Sequence, residues 1–226
     1  MLLGYDVLFM DVDIIWFKHP LGYFHDESSP VYKHDIFFQD DGSRGLFYAP
    51  YSSNTGFYYV RNNDKTRYFF NQLLLGGDLI IATKSHQIAL VSLLSEHASM
   101  YGLKVKVLSR DEDDFPGGHA FHNRHDFMKD VVEGKAEPYI FHMSWTANKK
   151  NKERFLRQLG GWYLKDQCLA KEASDILGSK EETTPGSLLE PCCSQDYLFE
   201  CFYRDKPSIK PCKDKDPLDK GKPSFW

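Results

Sequence analysis

The sequence lacks three features that would have assigned it to a class at once. It has no basic stripe, and its formal net charge is −4, so we expect no nucleic-acid partner. It has no apolar run as long as a membrane span, so no part of the sequence is expected to cross a bilayer. It also begins without a secretory signal peptide.

Residues 1–167 contain no cysteine. The five cysteines all fall in a polar region rich in proline and lysine: Cys168, Cys192, Cys193, Cys201 and Cys212. The C-x-x-C pairs typical of a zinc knuckle are absent, which favours disulfides and therefore a secretory compartment. The odd count leaves one thiol free or without its partner, and the spacing does not decide the connectivity.

The remaining composition is that of a globular protein. Hydrophobic residues make up 42% of the 226 residues and aromatic residues 15%, enough for one large domain with a substantial core. Apolar runs predict strands, and N-cap residues before periodic segments predict helices in alternation with them, which indicates an α/β fold. The predicted strands cover residues 7–10, 36–38, 56–60, 105–108 and 139–141. Three helices are predicted: one capped by Asn62, Asn63 or Asp64 and ending near residue 75, one capped by Ser85 and stopped at Gly102, and one over about residues 148–165. Residues 16–24 are expected to form an ordered aromatic loop.

The strand at residues 7–10 is followed directly by Asp11 and Asp13. Its sequence, VLFM, predicts a buried strand of a parallel sheet. Ligands of open α/β sheets bind beyond the carboxyl ends of the strands, so these carboxylates are expected to face a site. Magnesium and manganese take oxygen ligands and share them with substrate phosphates. The pair therefore predicts a metal-dependent site for a phosphate-bearing substrate.

Two other pairs of aspartates have the same spacing. Asp111 and Asp113 follow a weaker strand and belong to a run of four acidic residues, and Asp214 and Asp216 lie in a run of lysine and aspartate. We interpret the last pair as solvated surface and the middle pair as a much weaker candidate than Asp11 and Asp13, because neither follows a strongly apolar strand.

Two single residues are candidates for the same site. His142 closes the strand at residues 139–141, where a neutral imidazole could complete a carboxylate-rich metal site. A lone histidine is more often a hydrogen-bonded structural residue. Asn54 precedes the third strand, and its amide suits sugar hydroxyls, although asparagine beside glycine is equally suited to a turn. Both alternatives stay open on the residues alone.

Two functional classes fit the first strand. One is a glycosyltransferase whose aspartates hold a cation that bridges a nucleotide diphosphate. The other is a phosphatase of the haloacid dehalogenase type, with Asp11 as nucleophile, Asp13 as acid/base and magnesium as cofactor. That phosphatase usually has threonine or valine two residues after the second aspartate, where this chain has Ile15. It also gives Asn54 and Gln87 no role, so the sequence favours the transferase.

Three segments together resemble the nucleotide-diphospho-sugar transferases of glycosyltransferase family 77: residues 4–16, 53–61 and 141–149. The resemblance implies a GT-A-like mixed sheet flanked by helices over residues 1–167, followed by a cysteine-rich tail over residues 168–226. It further implies manganese (or magnesium), a UDP-sugar donor, a glycan or glycoprotein acceptor, and retention of anomeric configuration. The implied location is the lumen of the Golgi or the secretory pathway.

The resemblance also implies roles for individual residues. Asp11, Asp13 and His142 would be the metal ligands, Asn54 would hold the donor sugar, and Lys149 would contact the diphosphate. The cation and Lys149 would then stabilise the leaving group electrostatically. The full set of candidate substrate-binding residues is Asp11, Asn54, Thr55, Gln87, Trp145 and Lys149, with Asn54 and Gln87 also the candidate catalytic residues.

The chain departs from the family pattern in two places. Related transferases have an Asp-Gln pair where this chain has His86 and Gln87, so a sugar-binding carboxylate is expected to be missing. The half of the family domain that grips the base would precede Gly4, so the resemblance predicts an N-terminally truncated chain of weak or no activity. A membrane anchor, as in a type II membrane protein, is expected only in that preceding part. An inactive transferase fragment is thus a third hypothesis.

Overall fold

The computed structural model describes residues 3–110, 112, 114–169, 189–203 and 207–212. Contacts divide the chain into two compact units, residues 1–147 and a second unit that begins at Asn148. Each unit is described by itself. The domain boundary expected from the sequence, between residues 167 and 168, stays a prediction. No helix within the described residues combines the length and the hydrophobicity that a membrane span requires.

The first unit alternates strands and helices, as the sequence predicted. Its elements in chain order are β1 (Val7–Met10), β2 (Ile14–Trp16), α1 (Leu21–His25), β3 (Ile36–Asp40), β4 (Ser53–Val60), α2 (Asp64–Leu75), α3 (Gly77–Thr83), α4 (His86–Tyr101), β5 (Val105–Leu108), α5 (Gly118–Asn123), α6 (His125–Val132) and β6 (Ile140–His142). The segment expected to be an aromatic loop instead contains the end of β2, where Trp16 pairs with Ile140 of β6, and most of α1.

Four strands form a mixed sheet in the order β1-β4-β3-β5. β4 is antiparallel to both of its neighbours, whereas β3 and β5 are parallel. Strands β1, β3 and β5 therefore run in one direction, and their carboxyl ends share an edge with the start of β4. Strands β2 and β6 form a separate antiparallel pair. This mixed sheet with flanking helices confirms the predicted GT-A-like α/β class.

The prediction that β1 is a buried strand with parallel neighbours was wrong. β1 is the edge strand of the mixed sheet among the described residues, and it pairs antiparallel with β4. Its side chains are half-buried or exposed, with Phe9 41% and Met10 37% exposed. An apolar run of four residues reads the same at an edge as in the middle of a sheet, so the sequence could not distinguish the two.

The central strands are covered on both faces, which explains their continuous apolar runs. Side chains alternate across a strand, so Phe37 packs in one cluster while Ile36 and Phe38 pack in the other. The first cluster includes Phe24, Phe57, Tyr59 and Phe115, and the second includes Val60, Phe69, Leu90 and Leu94 from α2, α4 and the sheet.

Helices α2 and α4 begin where the sequence predicted. Asn63 forms a capping box with Thr66 at the start of α2. Ser85 accepts a hydrogen bond from the backbone N–H of Ile88 at the start of α4, and Gly102, with φ of 63°, ends that helix in a left-handed conformation. Both predictions are confirmed because each depended on local capping chemistry.

The second unit contains α7 (Lys149–Leu159) and α8 (Leu189–Cys192). The predicted helix over residues 148–165 was too long, because Gly160 adopts φ of 82° and ends it. Trp162 and Tyr163 therefore lie beyond the helix rather than on its apolar face. Disulfides join Cys168 to Cys192 and Cys201 to Cys212, which confirms the predicted stapled tail and leaves Cys193 as the free thiol.

Candidate metal and sugar site

Three side chains converge at the edge where β1 ends. Asp11 follows β1, Asp13 precedes β2, and His142 ends β6, opposite Ile14 in the strand pairing. One ligand atom from each of the three lies within 4.8 Å of the other two. His142 Nε2 is 3.4 Å from Asp13 Oδ1 and 3.8 Å from Asp11 Oδ2. We call these three residues the acidic cluster.

The orientation of His142 is fixed from behind by Gln39. The Gln39 amide nitrogen donates to the carbonyl oxygens of Phe115 (2.8 Å) and Pro116 (2.9 Å), so its oxygen faces the imidazole. That oxygen lies 2.7 Å from His142 Nδ1, which must therefore carry the proton. In neutral His142, Nε2 then presents its lone pair to the two carboxylates. A partner of this kind orients the ligating histidine in many metal sites.

Gly56 brings the backbone of β4 against the cluster. A Cβ atom at this position would lie 2.4 Å from His142 Cε1 and 2.5 Å from Asp11 Oδ2, so any side chain would displace them. The carbonyl oxygen of Gly56 also accepts from the backbone N–H of Asp11 at 2.7 Å. The glycine in the predicted motif is therefore required by close approach.

The acidic cluster has the chemistry of a divalent cation site. Two carboxylates and the unprotonated nitrogen of a neutral imidazole all present lone pairs, and such groups repel one another unless a cation or proton lies between them. The negative charge of Asp11 acts on its surroundings, since burial and Asp11 together raise the pKa of the Tyr58 phenol. Side-chain exposure falls from 50% for Asp11 to 16% for Asp13 and 3% for His142, so the site opens on the Asp11 side.

A second group of side chains surrounds the carboxylate of Asp41. Its Oδ1 accepts from Asn54 Nδ2 at 2.8 Å and from Gln87 Nε2 at 3.1 Å. Gln87 Oε1 accepts in turn from the backbone N–H of Thr55 at 3.0 Å and from its hydroxyl at 3.2 Å. The Thr55 hydroxyl is also 2.9 Å from His86 Nε2. We call this group the amide network.

An irregularity in the sheet creates the amide network. The pairing of β3 with β4 shifts from Phe38↔Tyr58 to Gln39↔Asn54, so the residues between Asn54 and Tyr58 form a bulge. Asn54 Oδ1 accepts from the N–H of Gly56 at 2.7 Å inside this bulge, which links the network to the acidic cluster. The turn expected before the third strand is thus part of β4, because this strand begins at Ser53.

The remaining predicted residues are placed differently. Trp145 lies three residues after His142, is 48% exposed, has φ of 66° and packs edge-on against His119 with ring centroids 5.5 Å apart. Lys149 is the first residue of α7, in the second unit, so its contact with a diphosphate stays a prediction. The other aspartate pairs fall at positions 111, 113, 214 and 216, which lie outside the described residues.

Sequence reasoning missed Gln39 and Asp41. Both follow the apolar start of β3, the same signal that identified Asp11 at the end of β1. Asp41 is 7% exposed and places a carboxylate beside Gln87. A carboxylate therefore lies beside Gln87, but it comes from the end of β3 rather than from position 86.

Comparison with known proteins shows to which family the chain belongs. The sequence model of the nucleotide-diphospho-sugar transferase family matches residues 1–156. The chain belongs to this family. A UDP-galactose:fucoside alpha-3-galactosyltransferase from Dictyostelium discoideum is 24% identical over an alignment of 180 residues that covers 72% of this chain and 26% of that protein. The chain thus spans about a quarter of the length of this relative. No solved structure matches significantly.

The match to this family covers both the acidic cluster and the amide network. It favours the nucleotide-sugar transferase that the first strand suggested over a phosphatase of the haloacid dehalogenase type. The family is described as nucleotide-diphospho-sugar transferases, which implies a nucleotide-sugar donor and an acceptor for its members.

Proposed function

We propose that this chain carries the metal and donor-sugar part of a metal-dependent glycosyltransferase that uses a UDP-sugar. One observation supports this most directly: Asp11, Asp13 and His142 converge within 4.8 Å in a chain of the nucleotide-diphospho-sugar transferase family. Few other roles require two carboxylates and an oriented imidazole at one strand edge.

The acidic cluster would hold Mn²⁺, with Asp11 Oδ2, Asp13 Oδ1 and His142 Nε2 as protein ligands. Carboxylates suit both magnesium and manganese, whereas an imidazole favours the transition metal, so manganese is the better fit to this donor set. Bound there, the ion would neutralise charge that develops on the diphosphate as it leaves. Because Asp11 is half-exposed, the cluster is open on that side, and a diphosphate can approach from there.

The amide network would bind the donor sugar. Asp41 Oδ1 is occupied by Asn54 and Gln87, while no partner of Oδ2 is found among the described residues. A buried carboxylate oxygen held in this way is a strong acceptor for a sugar hydroxyl. In this arrangement Asn54 and Gln87 position Asp41 and lie beside the sugar, and we propose that they are the residues nearest the reacting carbon. Thr55 holds Gln87 in place.

The finer features of the reaction belong to the same proposal. We propose that the reaction retains the anomeric configuration and that the acceptor is a glycan or a glycoprotein. We also propose that Trp145 contacts the substrate and that Lys149 contacts the diphosphate. The relative's name gives UDP-galactose as the first donor to test. The two disulfides of the second unit support a lumenal, oxidising location such as the Golgi.

Calorimetry of UDP binding, with and without Mn²⁺, tests the proposal. The wild-type chain is compared with Asp13→Asn, which keeps the side-chain shape but removes the charge, and with Asp64→Asn, whose carboxylate is 96% exposed in an ion pair on α2. We expect Mn²⁺-dependent UDP binding that Asp13→Asn abolishes and Asp64→Asn preserves. Hydrolysis of UDP-galactose, followed by NMR of the released sugar, then tests the donor and its anomeric outcome.

Two results would count against this function. A folded chain that binds neither Mn²⁺ nor UDP would support the inactive fragment, and binding restored in a chain extended upstream of Met1 would assign the loss to missing sequence. Cleavage of an aryl phosphate that is lost in Asp11→Asn would instead support the phosphatase.

A further inference from the structure

Trp145 lies near the proposed metal centre in an unfavourable backbone conformation. It follows His142 by three residues, and its φ of 66° belongs to the left-handed region, which residues with a bulky side chain seldom adopt. The residue is nevertheless 48% exposed, so full burial of the indole does not account for this conformation. Strain of this kind persists where the surrounding structure imposes it, and it concentrates at functional sites.

Close backbone contacts impose this conformation. The Ser144 hydroxyl accepts from the backbone N–H of Gly118 at 2.8 Å, and a Cβ at Gly118 would overlap the carbonyl oxygen of Ser144. A Cβ at Gly42, the residue after Asp41, would overlap the side chain of His119. The first residues of α5 therefore lie against both segments, and only glycine fits at these two contacts.

His119 and Trp145 form a pair that adjoins both proposed parts of the site. Their rings are edge-on, with centroids 5.5 Å apart, and we call them the ring pair. His119 lies against Gly42, next to Asp41 of the amide network, while Trp145 follows His142 of the acidic cluster. Among the described residues, neither the His119 ring nor the Trp145 indole N–H has a hydrogen-bond partner, so both can bond a ligand.

The ring pair also borders a cavity of about 370 Å³, at the lower end of the range for small-molecule sites. His119 lines it together with Asp40 and Arg44, which are joined by hydrogen bonds of 3.0 and 2.7 Å. Carboxylates and guanidinium groups both hydrogen-bond hydroxyls. The ring pair thus connects an aromatic surface to a polar cavity. A sugar ring has matching surfaces, with C–H groups on its faces and hydroxyls around its rim.

We propose that the ring pair binds a pyranose ring of the acceptor, with the C–H face of the sugar against Trp145 and a hydroxyl bonded to His119. The inference rests on the proposed transferase function and names the class of its second substrate, a glycan that offers an apolar pyranose face. The face of an aromatic ring is negative and attracts the C–H groups of a sugar. The acceptor must lie beside the donor sugar, and His119 lies next to the network proposed to bind that sugar.

NMR titration of the whole chain in the presence of Mg²⁺ and UDP tests the proposal, because the paramagnetic Mn²⁺ would broaden the signals. The probes are methyl β-galactopyranoside and galactitol, which carries similar hydroxyls on an open chain without a ring face. The Trp145 indole N–H signal, identified by its loss in Trp145→Phe, reports on the ring pair. We expect the galactoside to shift it saturably and galactitol to bind about tenfold more weakly.

Substitutions assign the binding to the two rings. Trp145→Ala should weaken galactoside binding about tenfold, whereas Trp145→Phe keeps an aromatic face and should keep most of the affinity. His119→Ala should weaken it about fivefold, the loss typical of one neutral hydrogen bond, and His119→Gln, which can still bond a hydroxyl, should recover part of it. Tyr163→Ala is the matched control, because Tyr163 is 46% exposed but lies in the second unit, and it should bind as the wild type does.

Trp145→Gly separates binding from folding. Glycine adopts a φ of 66° without strain, so this variant should unfold at a higher temperature than Trp145→Ala, although both should lose galactoside binding. If Trp145→Ala fails to fold, Trp145→Gly still decides the question. Wild-type affinity in a folded variant without the indole would overturn the proposal.

The outcomes separate this inference from the proposed function. Equal affinity for the galactoside and galactitol, or no shift of the Trp145 signal, would overturn the acceptor proposal even if Mn²⁺ and UDP bind. Displacement of the galactoside by UDP-galactose but not by UDP would also overturn it, because the ring pair would then bind the donor sugar. If the galactoside binds but UDP binds neither this chain nor one extended upstream of Met1, the acceptor role falls together with the transferase function.

Discussion

The acidic cluster and the amide network are neighbours that differ in how their carboxylate charges are balanced. In the cluster, Asp11, Asp13 and His142 bring ligand atoms within 4.8 Å of one another, and a cation between them would balance the charge of the two carboxylates. In the network, Asn54 and Gln87 supply the donors that the Asp41 carboxylate needs. We propose that the cluster takes an ion from solution, whereas the network is held by its own hydrogen bonds.

This difference indicates how each region should respond to substitution. Loss of a carboxylate from the cluster should mainly remove cation binding, whereas loss of the buried His142 also leaves Gln39 Oε1 without its partner. Loss of a member of the network leaves a buried polar partner unsatisfied, which costs stability as well as function. Substitutions in each region test this difference.

His142→Ala should have the largest effect. It removes a proposed metal ligand, and because loss of an outer partner alone typically costs 10- to 100-fold in metal affinity, we expect a loss of more than about 100-fold. Isothermal titration with Mn²⁺ measures this, and thermal unfolding with saturating Mn²⁺ should show the ion-dependent stabilisation disappear. His122→Ala, which removes a histidine outside the cluster, is the control. Undiminished Mn²⁺ affinity in His142→Ala would mean that the imidazole is structural.

Asp41→Asn should separate donor binding from turnover. The asparagine oxygen can still accept from Asn54 and Gln87, so the free energy of unfolding should fall by less than about 1 kcal/mol. The charge offered to the sugar is lost, and turnover of the donor should fall about 10- to 100-fold while Mn²⁺ affinity is unchanged. Kinetics of UDP-galactose hydrolysis with Mn²⁺ titration measures both. Equal loss of Mn²⁺ binding would place Asp41 in the metal site.

How far the sequence predicted these two regions depended on the kind of contact involved. Asp11, Asp13 and Gly56 were identifiable because each adjoins an apolar strand or a motif of fixed spacing. Gln39 and Asp41 were not, since each acts through partners far along the chain, and Gln39 and His142 are 103 residues apart. A strand pattern does not reveal which distant strand ends meet.

The fold divides in the same way. Helix limits set by capping residues, such as Ser85 and Gly102 around α4, were predicted correctly because capping is local. The position of β1 at a sheet edge and the bulge after Phe38 depend on pairing between strands, and no local pattern indicates either. A glycine favours the left-handed conformation that ends a helix, so Gly160 was a signal for the early end of α7. The apolar spacing of Trp162 and Tyr163 indicated instead that the helix continued.

Gln39→Met tests the connection behind the cluster. The methionine fills similar space but cannot accept the proton of His142 Nδ1 or donate to Pro116, so the imidazole loses its fixed orientation. We expect Mn²⁺ affinity to fall about tenfold, less than in His142→Ala, with a measurable loss of stability from the two unsatisfied carbonyls. Gln39→Glu restores the acceptor only, so it should recover part of the affinity. No difference between these two variants would show that Gln39 acts on packing alone.

Thr55→Val should have the smallest effect and is specific to the amide network. It keeps the shape of the side chain and removes the hydroxyl that donates to Gln87 Oε1 at 3.2 Å and lies 2.9 Å from His86 Nε2. The backbone N–H of Thr55 still holds Gln87, so we expect the free energy of unfolding to fall by about 1 kcal/mol and Mn²⁺ affinity to stay unchanged. Urea unfolding and Mn²⁺ titration of the same samples measure the two quantities. A change in metal affinity without a change in stability would contradict this difference between the two regions, because it would show that the network and the cluster beside it are coupled.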